Sequence, residues 1–377
     1  MTIAGRATPE GTERYKKRMA GTCSEGRFRQ AEGLYWSSVG MGTYLGAADA
    51  ATDEMVTEAA VNSVCGGINV LDTAVNYRRQ RAERSVGEAL RRLLDSGKAE
   101  RAEIVLCTKG GFLPHPDGPR WFQREYVDSG KGGATLDDLA DDCHCMHPDY
   151  LADQLDRSRA NLGVETIDLY YVHNPETQLE AVGPDVFYAR LEAAFGALER
   201  AADDGKIQYY GMATWSAFRV APGSARSVSL ERARIAAQGA AADGKGALSR
   251  RRDRFRFIQL PFNLNMPEAM TSLTQSAGGT LKAAIPAAGE LGLHPVLSAS
   301  FAQGRIGGLD AGLAKLLGAG LKSDAQRALQ FARGAPGALV ALIGMKDPGH
   351  VEENLALCQT PILDRQVYGE ILRRLEG

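Results

Sequence analysis

A single closed (β/α)8 TIM barrel of the α/β class is the fold this sequence predicts, and three observations predict it. Short apolar runs of strand length alternate with amphipathic stretches of helical period, as in a parallel sheet with crossover helices. The runs are numerous enough for one closed barrel rather than two open sheets. Ionisable residues stand just past three consecutive runs: Asp72 and Tyr77, then Lys109, then His173. In such a barrel the carboxyl ends of the strands share one face, where the chemistry gathers.

The elements follow in order. Residues 1–25 show no clear period and are expected to form an irregular arm before one barrel domain spanning 26–377. Residues 28–39 suit a hairpin closing the barrel floor, with Gly33 near its turn, and the first barrel strand ends near Gly42. Thr52-Asp53-Glu54 opens a helix, with acids favoured in its first turn, and Gly66-Gly67 stops it. Asn69-Val70-Leu71 leads as a strand into Asp72. Val86, Leu90, Leu93 and Leu94 then give a helix one buried stripe. Residues 104–108 lead into Lys109. Beyond them, helices over 150–162, 185–203, 230–238, 281–291 and 324–332 precede strands over 167–172, 207–212, 257–260, 295–298 and 338–343. A helix over 367–375 covers the end.

Two long insertions on the carboxyl-end face break the rhythm. Residues 112–150, rich in Pro and Gly and acidic at Asp137, Asp138, Asp141 and Asp142, read as a long loop overhanging the site. The second, 216–255, ends in Arg250-Arg251-Arg252-Asp253-Arg254, a run expected to be solvated.

Composition narrows the function. With 377 residues there is ample chain for a large core. The 44 basic and 46 acidic residues leave no footprint for nucleic acid. No apolar stretch approaches the roughly 20 residues of a membrane span, and the first residues lack a signal-peptide core. Six cysteines in so long a chain point to a reduced, cytoplasmic protein. Cys65 and Cys107 read as small core residues.

Several motifs occur in one order: Gly40-Met41-Gly42-Thr43-Tyr44, Asp72-Thr73-Ala74-Val75-Asn76-Tyr77, Glu83-x-x-Val86-Gly87, Thr108-Lys109-Gly110 and Tyr171-Val172-His173-Asn174-Pro175. Gly205-Lys206-Ile207, Ile258-Gln259 and Glu353-Asn354-Leu355 follow. In these the chain resembles the aldo-keto reductases. The resemblance implies a catalytic tetrad of Asp72, Tyr77, Lys109 and His173, and its chemistry is coherent. A carbonyl accepts hydride poorly unless its oxygen is protonated or polarised. A tyrosine can donate that proton, but its free pKa of about 10 makes it a reluctant acid. Lys109 is expected to lower that pKa, Asp72 to hold Lys109 charged, and His173 to orient the carbonyl. Taken singly, each has a plainer reading as turn cap, packing ring, surface ion pair or core histidine; on successive strand ends the joint reading is catalytic.

The resemblance further implies NADP(H) as cofactor, across Gly42, Thr43, Thr214, Gln259, Ser298, Gln303, Arg305, Gly344, Lys346, His350, Glu353 and Asn354. Gln259 would touch the carboxamide, Glu353 and Asn354 the adenine, and residues 344–350 the phosphate end, with Lys346 toward a 2′-phosphate. Gly40-Met41-Gly42 is no dinucleotide fingerprint, since Leu45 stands where a third glycine belongs. The chain departs from the family at Ala213-Thr214, where Ser-Asn is usual, at Ala299, where an aromatic ring is common, and at His350, where arginine often grips the phosphate.

Cys143-His144-Cys145-Met146-His147 crowds metal-ligating types together, but without the spacing by which a loop wraps zinc. No metal is expected, and the segment reads as packing on the barrel mouth. The leading expectation is an NADPH-dependent enzyme interconverting a small-molecule carbonyl and alcohol. A redox-neutral epimerase or lyase retaining NADP, and a non-catalytic regulatory barrel, are the alternatives.

Overall fold

Strand residues of this chain alternate between two cores, and that alternation builds the fold. The computed structural model describes residues 2–24, 26–242, 253–306 and 308–376. Val39–Gly42 (β1), Val70–Asp72 (β2), Val105–Gly110 (β3), Ile167–His173 (β4), Ile207–Ala213 (β5), Phe255–Pro261 (β6), His294–Ser298 (β7) and Val340–Gly344 (β8) form one closed barrel. Neighbouring strands are parallel, and β8 closes on β1. Val70, Val105, Cys107, Leu169, Tyr171, Phe257 and Val296 form the inner core. Leu71, Leu106, Tyr170, Val172, Ile258 and Leu297 belong to the outer one, against the helices. Burial on both faces is why these strands read as continuous apolar runs.

The outer layer comprises Ala50–Cys65 (α1), Arg81–Asp95 (α2), Pro148–Leu162 (α3), Pro184–Asp203 (α4), Leu230–Ala242 (α5), Ala284–Glu290 (α6), Asp324–Gly334 (α7) and Pro348–Ala356 (α8), with Arg365–Glu376 at the end. α1 starts earlier than expected because the Asp49 side chain caps it, accepting from Thr52 N at 2.8 Å. Cys65, its last residue, is exposed rather than in the core; Cys107 is buried. Among the described residues no helix is long and apolar enough to cross a membrane.

The floor is closed as expected. Phe28–Ala31 pairs antiparallel with Leu34–Ser37. Glu32 and Gly33 both take positive φ, 49° and 81°, which a two-residue turn of right-handed twist requires. Trp36 is fully buried in the inner core, 5.1 Å from the Phe257 ring.

Four expectations need correction. The arm is not irregular: Pro9–Arg18 is a helix capped by Thr8, and it buries only Gly11, Thr12 and Tyr15, too few apolar positions to show a period. Residues 112–150 are not structureless. Pro119–Phe122 continues into a wider helical turn, and Leu139–Ala140 pairs with His144–Cys145. Trp121, Phe122, Tyr126 and Tyr150 pack ring on ring there, and their irregular spacing hides this from a periodicity search. The helix expected over 281–291 begins only at Ala284, because a third hairpin, Gln275–Ala277 with Thr280–Lys282, takes up its first residues, its turn made by Gly278 and Gly279 at positive φ. In the charge run, Arg250, Arg251 and Arg252 lie outside the described residues. Its described end is paired rather than solvated: Arg254 reaches Glu199 and Asp203, each at 2.8 Å, and buried Asp253 meets Arg234 and Arg256.

Candidate active site

The inward row of each strand continues past the core into the site. With a period of two, Val70 is followed by Asp72, Cys107 by Lys109, Tyr171 by His173 and Phe257 by Gln259. Four chemically distinct side chains thus cap the apolar interior at the carboxyl ends of β2, β3, β4 and β6. Tyr77 arrives from the loop after β2. That loop is pinned to β3 by Thr73 N donating to Cys107 O at 2.9 Å and Val75 N to Lys109 O at 3.2 Å.

Lys109, fully buried, is ion-paired with Asp72 and donates to Thr73 O at 2.8 Å. Gln259 Nε2 donates to the other Asp72 oxygen at 2.9 Å. The Lys109 ammonium lies 5.0 Å from the centre of the Tyr77 ring, and the His173 ring meets Tyr77 edge-on at 5.7 Å. The Glu83 motif supports this row from outside: Thr108 and Asn161 donate to its two oxygens at 2.7 and 2.8 Å.

Electrostatics divide the roles. Burial raises the Asp72 carboxyl above its ordinary value, opposed by Lys109 and Gln259. Burial also disfavours the Lys109 charge, but Asp72 and Tyr77 outweigh it and hold the ammonium above its ordinary value. Burial, and after it the neighbouring Lys109 charge, push His173 far below its usual value, so its imidazole is neutral. The expectation that Lys109 brings Tyr77 below a free phenol is corrected. Lys109 does lower it, but desolvation of the buried ring is the larger effect, and the phenol sits above its ordinary value. Tyr77 is therefore a protonated donor at neutral pH.

These side chains open on a cavity of about 480 Å³. Asp72, Tyr77 and His173 line it, as do Gly42, Thr43, Thr214, Gln259, Ser298 and Gly344 from the expected cofactor set. The other expected contacts are not brought to this cavity. Arg305 and His350 are exposed, and Lys346 is half-buried over the loop at Gly46. Glu353 accepts from Ser323, and buried Asn354 faces Met345 Sδ. The Gln303 side chain lies outside the described residues.

Sequence reasoning missed several cavity residues: Tyr44, Asn76, Phe112, Asn174 and Ser300. Each lies within four residues of a strand's carboxyl end, and that position was the available signal. It also missed Glu176, whose buried carboxylate accepts from Trp215 N at 2.7 Å and Ser216 N at 2.9 Å and so holds Trp215 on the rim. The Cys143–147 segment disperses: His147 caps α3, whereas His144 is buried and turned toward His173.

Residues 38–223 match the model of the aldo/keto reductase family. Over that stretch, just under half of the chain, it is similar to that family. An NADP(+) aldo-keto reductase of Schizosaccharomyces pombe is 32% identical over 119 residues, 31% of this chain and 25% of that one. An NADH-specific methylglyoxal reductase of Escherichia coli is 24% identical over 182 residues, 47% of this chain and 48% of that one. The chain thus matches a quarter to about half the length of these relatives. Among solved structures, an aldo/keto reductase of Klebsiella pneumoniae in complex with NADP and acetate superposes with a TM-score of 0.60 at 19% identity, covering 93% of this chain and 94% of that one. At that identity the likeness establishes the barrel fold alone.

Proposed function

We propose that this protein is an NADP(H)-dependent oxidoreductase interconverting a carbonyl and an alcohol, with Tyr77 as general acid/base. The observation that carries the reading is the convergence of a buried protonated phenol, a lysine–carboxylate pair and a neutral imidazole on one cavity. The cavity suits a nicotinamide nucleotide. Asn76 Oδ1 and Ser300 Oγ, both on lining residues, are buried without a protein partner. Gln259 spends its amide N–H on Asp72, leaving Oε1 as an acceptor. A Cβ at Gly42 would meet nothing closer than 3.7 Å, so the backbone is open to close approach there. Gly42, Thr43, Thr214, Gln259, Ser298 and Gly344 would hold the nicotinamide half. Gln303, Arg305, Lys346, His350, Glu353 and Asn354 would serve the phosphate and adenosine end.

The bound cofactor supplies hydride to the carbonyl carbon. Tyr77 gives its phenolic proton to the carbonyl oxygen as negative charge develops there. Lys109 stabilises the phenolate left behind, and Asp72 keeps Lys109 charged and in place. His173, being neutral, orients the same oxygen by a hydrogen bond. In the oxidative direction the phenolate recovers the proton.

The walls indicate the substrate. Tyr44, Leu45, Phe112, Trp215 and Phe301 line the mouth, and no lysine or arginine is among the described lining residues. An uncharged carbonyl with an apolar or aromatic substituent fits this wall; a carboxylate or phosphate would find no cation. The test is fluorescence titration with NADPH and NADH, then a screen of uncharged against anionic carbonyls. NADPH binding and turnover that consumes it are expected, with neutral substrates preferred. Binding of neither nucleotide would sink the proposal. Nucleotide co-purified and slow to leave, with turnover that consumes no NADPH, would favour a redox-neutral epimerase or lyase instead.

A further inference from the structure

The long insertion after β3 returns to the strand end it left. Leu139–Ala140 and His144–Cys145 form a small hairpin, and His144 bridges to Phe112 immediately beyond β3. Leu113 N donates to Cys143 O at 2.8 Å and Cys145 N to Gly111 O at 2.9 Å, so the insertion is stitched to the barrel mouth. This register turns the His144 ring inward, where it is fully buried. Its Nε2 lies 2.7 Å from the carbonyl oxygen of His173. A carbonyl only accepts, so Nε2 carries the proton and Nδ1 is bare. Gln178 holds the hairpin's backbone in place. Its Oε1 accepts from Arg190 at 2.6 Å, and its two N–H groups donate to His144 O at 2.8 Å and Asp138 O at 3.1 Å.

His173 needs such an anchor. Its Nδ1 is buried without a protein partner, so no side-chain hydrogen bond fixes its ring. What fixes it is packing and its own backbone. Phe112 stands edge-on between the two imidazoles, 5.2 Å from His144 and 5.1 Å from His173. Gly111 is the space that permits this: a Cβ there would lie 2.6 Å from His144 Nε2 and 3.1 Å from His173 O.

We propose that His144 is a positioning residue for the reaction, donating from Nε2 to the His173 carbonyl and so setting, with Phe112, where the His173 imidazole meets the substrate oxygen. The inference rests on the carbonyl–alcohol chemistry proposed above. The insertion thereby acts as a fixed buttress of the site. An error of about 1 Å in a positioned group can cost on the order of 10²-fold in rate, which is the scale expected when the anchor is lost.

The test compares two variants. His144→Phe keeps an aromatic ring and removes the donor; His144→Gln places an amide N–H where Nε2 stood. In the Phe variant kcat for carbonyl reduction is expected to fall by on the order of 10²-fold, with NADPH affinity and carbonyl KM little changed. The Gln variant should regain most of that loss, which a merely structural role would not produce. A folded Phe variant with unaltered kcat overturns the proposal and leaves the enzyme's function standing. If the Phe variant does not fold, nitrogen NMR of the unaltered protein decides. A protonated Nε2 and bare Nδ1 on His144 support the contact, and a protonated Nδ1 overturns it. If the unaltered protein turns over no carbonyl, the function proposed above is what fails. The His173 ring resonances in the folded Phe variant then decide the positioning: displaced if the anchor is real, unmoved if it is not.

Discussion

Gln259 and Asp72 stand 187 positions apart in the chain, yet the Gln259 amide donates to Asp72 at 2.9 Å across the barrel mouth. Both oxygens of that carboxylate are thereby committed, one to Lys109 and one to Gln259. Gln259→Leu leaves a buried carboxylate oxygen without its donor, at a cost of about 1–3 kcal/mol. Asp72→Asn is expected to cost more, about 3–5 kcal/mol, because Lys109 would remain buried without its counter-charge. Urea unfolding of the two variants checks the order; equal stabilities would show that the Lys109–Asp72 pair does not depend on the carboxylate charge.

Tyr77→Phe removes the proton donor and keeps the ring that packs against Tyr44 and His173. Carbonyl reduction should fall by roughly 10²–10⁴-fold, while NADPH affinity and thermal stability stay close to those of the unaltered protein. Single-turnover rates alongside nucleotide titration separate the two effects. A variant with undiminished turnover would remove Tyr77 from the chemistry.

The barrel and the gathering of Asp72, Lys109 and His173 at one end of it were legible because both are written in short-range pattern. Buried parallel strands are continuous apolar runs, and a period of two carries Asp72, Lys109, His173 and Gln259 to one end. What stayed hidden depends on contacts between distant segments with no period of their own. The helix Pro9–Arg18 buries one large side chain, Tyr15, whose hydroxyl donates to Val64 O. The aromatic cluster of residues 121–150 is assembled from side chains at unrelated spacings. The Tyr77 pKa was misjudged for a similar reason: the neighbouring lysine is visible in sequence, but the degree of burial is not.

At the opposite end of β4, Asp168 gathers four donors. Ala7 N and Gln208 reach one oxygen at 2.7 and 2.6 Å; Leu106 N and Arg101 reach the other at 2.8 and 2.9 Å. The carboxylate ties the N-terminal segment to β3 and β5 on the barrel floor. Asp168→Ala should therefore destabilise the protein by about 3–5 kcal/mol through the buried Arg101 it strands. Because the site lies at the other end of the strand, kcat per folded molecule should be unchanged. A thermal melt and an active-site titration on the same sample check both halves; a loss of kcat without loss of stability would contradict the assignment.

Acid should act on His144 with a definite sign. Burial drives its imidazole down from 6.5 to about 4, and the His173 carbonyl only partly offsets this. Between those values the unfolded chain binds a proton that the folded chain refuses. Stability therefore rises with pH through the window and is lost on acidification, by on the order of 3 kcal/mol for this one group. His173, facing it and also depressed by burial, adds to the same slope. Asp72, Glu83 and Glu176 oppose it, since burial raises their carboxyls and the folded state then takes up protons more readily than the unfolded. The net slope of the unaltered protein mixes these contributions, so the informative quantity is a difference. Denaturant unfolding from pH 7 to pH 4 should show His144→Gln losing less stability than the unaltered protein. Parallel curves would mean that His144 is protonated in the folded state within that range, and that it is not the neutral imidazole donating from Nε2 alone.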